Sequence, residues 1–261
     1  MPARFIPKRP IPAAGWASFL LLLLLSAVAG PAIAQHGDVS HDNGHESSHG
    51  HGHGAAATGG PKWEGSPEGV AYSERNHHLA GLFVLLIALT ELREALKWTR
   101  LAWSRFLLPA AMVGAGVFLL IWSDHEAWPI GSLSFAQTFF GNDHEIVQHK
   151  TYGILLFAVG VIESLRRAGR LAHFAWAAPL PIFAIIGGLL LFMHSHGDHP
   201  SAQKIALHHA AMGVMAITAG SCKLVSAGTG GQANQSPASR WGLAWAGLIL
   251  MIGVQLLFYS E

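Results

Sequence analysis

The chain has 261 residues, and only 12% of them are charged, against roughly 25% in soluble domains. The formal net charge of +1 gives nucleic-acid binding no electrostatic basis. One cysteine, Cys222, leaves no intramolecular disulfide and no multi-cysteine metal site.

Residues 1–34 read as a cleavable signal peptide. Arg4, Lys8 and Arg9 precede an apolar run with six consecutive leucines, and Ala32-Ile33-Ala34 fits a small-x-small cleavage site. Residues 35–76 follow as a polar tail. Its first part holds His36, His41, His45, His49, His51 and His53 among Gly, Ser and Asp. Such a stretch has too little apolar surface to fold and is expected to be disordered. Neutral imidazole binds copper, zinc and nickel, so the tail is expected to capture metal.

Residues 77–261 form the membrane domain. Apolar runs predict six spans at about 77–97, 105–123, 150–166, 173–194, 204–224 and 240–259, each near the roughly 20 residues that cross a bilayer. Nine basic residues fall on one side: Arg93, Lys97, Arg100, Arg105, Arg166, Arg167, Arg170, Lys223 and Arg240. Lys62, Arg75, Lys150 and Lys204 fall on the other. The positive-inside rule then puts both mature termini in the periplasm of a bacterial inner-membrane protein. On that map His173 alone among the 17 histidines lies at the cytoplasmic edge.

The spans repeat. His77, Gly81, Glu91, Pro109, Gly116 and Ser123 recur 72 residues later as His149, Gly153, Glu163, Pro181, Gly188 and Ser195. A third copy keeps His209, Gly213, Lys223, Gly253 and Ser260 in matching order. The fold class is therefore an all-α integral membrane protein of three two-helix hairpin repeats. Fourteen helical residues rise about 21 Å and return to nearly the same azimuth. Each His thus shares a face with its Glu or Lys, near the opposite surface. The intramembrane charges Glu91, Glu163 and Lys223 are expected to point inward, with Lys223 paired to one of the glutamates.

The densest ligand pattern flanks the fourth and fifth spans. Met193, His194, His196 and His199 close one, and His208, His209 and Met212 open the next. His208 and Met212 lie one helical turn apart. Imidazole suits Cu(II) and thioether suits Cu(I), which favours copper over zinc or nickel. The outer loop adds a repeated Asp-His-Glu around His125 and His144, followed by His149. Its carboxylates are suited to ligate metal or to orient a ligating imidazole. The tryptophans Trp98, Trp122 and Trp128 fit interfacial anchors.

About residues 128–225 resemble part of the copper resistance D family of bacterial inner-membrane proteins. The resemblance rests on Trp128-Pro129-Ile130-Gly131, the run from Asp143 through His149 to Lys150, and Glu163 with Arg166-Arg167. Gly187-Gly188 with His194-Ser195-His196 and the His209 helix complete it. It implies a polytopic protein tied to periplasmic copper handling or uptake. The expected function is thus binding, handling or transport of copper at the periplasmic face, with a periplasmic copper-binding protein as an expected partner. Two alternatives stay open: a cytochrome b-type protein with an outer haem b held by two of these histidines, and a metal buffer that does not transport. No nucleophile elbow, zincin motif or phosphate loop occurs, so no enzyme is expected.

Overall fold

The computed structural model describes residues 66–98, 102–193, 201–229 and 240–261. The signal peptide, the tail histidines and His194, His196 and His199 lie outside the described residues. The described residues are all-helical apart from turns and loops. The long helices are α1 (Pro67–Ala95), α2 (Leu107–Trp122), α4 (His144–Arg167), α5 (Pro179–Leu191), α6 (Ala202–Thr229) and α7 (Arg240–Leu257). A six-residue helix, α3 (Phe135–Phe140), sits in the connection between α2 and α4. Short 3-10 turns lead into α2 at Ala102–Phe106 and into α5 at Phe174–Ala177.

The apolar run places the first span at residue 77, but α1 starts ten residues earlier. Ser66 caps it, its hydroxyl accepting from the Gly69 amide at 3.0 Å. Pro67 fills the first helical position, and Glu68 meets the positive end of the helix dipole. Residues 67–76 are thus a polar extension of the helix, and the polar tail ends before them. Likewise α4 begins at His144, capped by Asp143, rather than at 150.

Among the described residues, four helical stretches are long and apolar enough to cross a membrane: Trp103–Trp122, Phe174–Leu191, Ala202–Ala227 and Arg240–Leu257. Helices α1 and α4 have 29 and 24 residues, ample length. Their ends, however, carry the charged groups described below, which lowers their mean hydropathy.

The six long helices close into a ring. Each packs on its chain neighbour, and α7 returns to pack along α1. The most extensive interfaces are α7 on α1, α2 on α4 and α5 on α6. One glycine pair sits at each. Gly81 meets Gly253, Gly116 meets Gly153, and Gly188 meets Gly213. A Cβ at Gly116 would lie 2.7 Å from the Phe157 amide nitrogen and 2.9 Å from the Gly153 carbonyl oxygen. Only glycine permits that approach of two backbones. These are the glycines whose sequence positions recur between hairpins.

One core runs through the ring. It includes Ile87 and Ala88 of α1, Met112 of α2, Val159 of α4, Leu180 of α5, Met212 and Cys222 of α6, and Trp245 and Ile252 of α7.

Candidate functional site

The site is built where α2 ends and α4 begins. The Asp143 carboxylate accepts from the amides of Glu145 at 3.0 Å and Ile146 at 3.1 Å. That cap starts α4 and puts His149 and Lys150 in its second turn. Asp124 follows the last turn of α2. Its Oδ1 accepts from His149 Nδ1 at 2.8 Å, and its Oδ2 pairs with Lys150 Nζ at 3.2 Å. The Ser123 hydroxyl also donates to Asp124. Lys150, placed by sequence among the periplasmic basic residues, has a side chain with 0% exposure. Its ammonium is satisfied further by the Ser123 hydroxyl at 3.1 Å and the Leu119 carbonyl at 3.3 Å.

Burial disfavours the Asp124 carboxylate. The His149 imidazolium, the hydrogen bond from it, Lys150 and Ser123 outweigh that cost and hold the carboxyl below its usual range. The Asp124 carboxylate in turn favours the protonated His149 ring. Once that ring gives up its Nε2 proton, Nδ1–H stays donated to Asp124 and the lone pair lies on Nε2. A carboxylate orienting a histidine in this way is a common outer partner of metal-binding imidazoles.

His77 of α1 is held from the other side. Its Nδ1 donates to the Ser73 carbonyl at 2.8 Å, and its ring stacks on Tyr259 with centroids 3.9 Å apart. The His209 ring lies 6.2 Å from His77 and stacks at 6.4 Å on the same tyrosine. Ser73 donates to the Glu261 carboxylate, which also accepts from the Tyr259 hydroxyl at 3.2 Å. His78 bonds the Tyr259 carbonyl at 3.0 Å, and His208 contacts the Gln255 amide at 3.3 Å.

Between these groups lies a cavity of about 140 Å³. His77, His125 and His149 line it with Tyr72, Asn76 and five carboxylates: Asp124, Glu126, Asp143, Glu145 and Glu261. His125 is partly exposed, stacks edge-on against Tyr72 and approaches Glu126 at 3.5 Å. His144 is exposed and is not part of the lining. Among the described residues, no cluster of three or more His, Cys, Asp or Glu is arranged to hold a metal ion. Of the two methionines singled out, Met212 is 3% exposed and packs in the core, whereas Met193 is 64% exposed. Neither lines the cavity.

The opposite end of the bundle holds a second charged cluster. Glu91, 2% exposed, pairs with Lys223 of α6 and with Arg167 of α4, the latter at 3.0 Å. It also accepts from Trp245 Nε1 of α7 at 2.8 Å. Arg167 pairs in addition with Glu94 and with Glu163. Glu163 is held by Arg166 at 2.7 Å. Sequence reasoning places Glu91, Glu163 and Lys223 together but assigns Arg167 to the aqueous connection. Its side chain is in fact 7% exposed. The missed signal is local: Arg167 lies four residues after Glu163, one turn along the same face. Lys150, Glu94, Trp245 and Tyr259 were also missed.

No family model, curated protein or solved structure matches the chain.

Proposed function

We propose that the protein is an inner-membrane protein of six spans that receives transition-metal ions, copper foremost, from the periplasm at its histidine end. The observation carrying this reading is the cavity in which Asp124 fixes His149 through Nδ1, beside His77 and four further carboxylates. Carboxylates draw a cation from water, and imidazole suits borderline divalent metals. In this reading the tail from His36 to His53 captures ions. His125, at the rim, passes them to His149 and His77, and His194, His196, His199, His208 and His209 extend the path.

Three further points support it. The two flanking helices with polar ends, α1 and α4, complete a six-span ring with the four apolar ones. The matched glycine pairs at three interfaces agree with three hairpin repeats related by a pseudo-threefold axis. The likeness to the copper resistance D family points the same way. The Glu91 network would then be a seal at the cytoplasmic side. Since Met212 is a core residue, the cavity's own donors are nitrogen and oxygen, the set that suits Cu(II) better than Cu(I).

The test is metal analysis with an absorption spectrum of protein purified without a polyhistidine tag, with and without residues 36–53. Copper retained without the tail, and lost on replacing both His77 and His149 by Ala, is the expected result. A haem Soret band would replace this reading with the cytochrome one. Loss of all copper with the tail alone would leave a metal buffer. Met212→Leu conserves volume and should leave copper affinity unchanged, whereas a selective loss of Cu(I) binding would make the sulfur a ligand.

A further inference from the structure

Between α2 and α4, residues 127–142 contain no charged side chain. Both flanks are strongly polar: Asp124-His125-Glu126 before and Asp143-His144-Glu145 after. The loop organises its own backbone. The Trp128 amide donates to Thr138 Oγ1 at 2.9 Å, and Thr138 is fully buried. The Gly131 amide donates to the Ala127 carbonyl at 2.8 Å, and Leu133 to Glu126 at 2.9 Å. Ser134 and Gln137 form a capping box that starts α3. These amides are satisfied within the loop, while four of its large apolar side chains are exposed. Trp128, Ile130, Phe135 and Phe140 are 46%, 48%, 52% and 80% exposed. Trp128 and Phe135 meet edge-on at 5.5 Å, so they form one surface.

We infer that this loop is a lipid-seating element, lying in the headgroup–acyl boundary of the leaflet at the histidine end. This rests on reading the helices as membrane spans. The loop leaves directly from the end of α2, where Trp122 is itself exposed. Tryptophan and phenylalanine are favoured at that depth, because an apolar ring there leaves water without losing polar contacts. The absence of charge makes the seat indifferent to anionic lipid. Its consequence for the cavity is direct. The two Asp-His-Glu segments bracket the seated loop, so they are held at the water line, where a dissolved cation first meets the protein.

The experiment places a spin label at single cysteines in a Cys222→Ala background, in phosphatidylcholine vesicles. The sites are Phe140→Cys, Ile130→Cys, Asn142→Cys and Met251→Cys, all exposed positions. Collisions with oxygen, which concentrates in lipid, are compared with those of a water-soluble nickel chelate. At 130 and 140 the oxygen-to-nickel ratio should exceed that at 142 several-fold and fall below that at 251. It should not change when phosphatidylglycerol is added. A ratio at 130 and 140 equal to that at 142 would overturn the seat while 251 stays lipid-exposed. Protection from both agents would also overturn it, in favour of a protein partner or second copy. If position 251 is itself nickel-accessible, the membrane reading fails and the seat with it.

Discussion

The two ends of the helical ring handle charge in opposite ways. At the Glu91 end, carboxylates and cations from α1, α4 and α6 pair in direct contact, and the indole of Trp245 fills the last acceptor position. At the histidine end, five carboxylates line the cavity, and the buried Lys150 behind it is committed to Asp124. One end has balanced its charges internally. At the other, hydroxyls, backbone amides and His149 hold carboxylates around a space that solvent reaches. A layer of the first kind fixes helix positions, and one of the second kind presents negative charge to an approaching cation.

Four perturbations sharpen this contrast, from the largest expected effect downward. Glu91→Ala takes a carboxylate from Lys223 and from Arg167, although Glu94 and Glu163 still hold Arg167, and leaves the Trp245 indole without its acceptor. Breaking a buried pair from one side costs about 3–5 kcal/mol, so thermal unfolding in detergent should show a large loss. A loss below about 1 kcal/mol, the value for an exposed pair, would mean that water enters the network. Gly116→Val drives a side chain into the α4 backbone, and overpacking costs about 1–3 kcal/mol. Gly188→Val should cost a similar amount if the glycine interfaces are equivalent. Gly187→Ala is the control, because its Cβ would meet only a Tyr152 ring carbon, at 3.6 Å.

Asp124→Asn removes the partner of a fully buried lysine at the histidine end. The expected cost is about 1–3 kcal/mol, less than at Glu91 because Ser123 and the Leu119 carbonyl still hold the ammonium. The sign of its pH dependence follows from the depressed carboxyl. The unfolded aspartate titrates near about 3.9. The Asp124 contribution is complete above that value and is lost as pH falls through the lower folded value. Wild type should therefore lose stability on acidification below about pH 4 more steeply than Asp124→Asn. Parallel curves would reject the linkage. Smallest of all, His125→Ala at the cavity rim should change stability by no more than about 0.5 kcal/mol, the usual range for surface substitutions. Its effect should appear in metal uptake alone. A larger destabilisation would make the rim part of the structural core.

Much of this was legible in the residues, and the losses have physical reasons. Apolar runs locate the six long helices because burial or lipid contact demands them. They misplace the starts of α1 and α4, because capping and polar extension leave no mark on hydropathy. Ser66-Pro67-Glu68 and Asp143 carry the missing signal. The recurring His and Glu anticipate two polar ends, since equal spacing on a helix fixes equal depth. Pairing was less legible. Arg167 and Lys150 look like ordinary end charges until the fold brings a carboxylate from another helix beside each. Met212 shows the limit of spacing: one turn from a histidine, it invites reading as a ligand, and the fold packs it in the core, outside the cavity lining.

The Glu91 network also sets an order of events during synthesis. If α1 spans the membrane as proposed, Glu91 would enter with it, whereas Arg167 follows 76 residues later and Lys223 132 residues later. A nascent chain that has released α1 alone therefore carries carboxylates whose counter-charges are still unmade. Until α4 emerges, such an α1 would stay sheltered by the insertion machinery or linger at the interface. Ribosome-stalled chains ending before α4 should leave Glu91 accessible to a water-soluble carboxyl reagent after conversion of its neighbours to Gln. Chains extending past α6 should protect it, and equal labelling of both would mean that α1 finds shelter without its later partners.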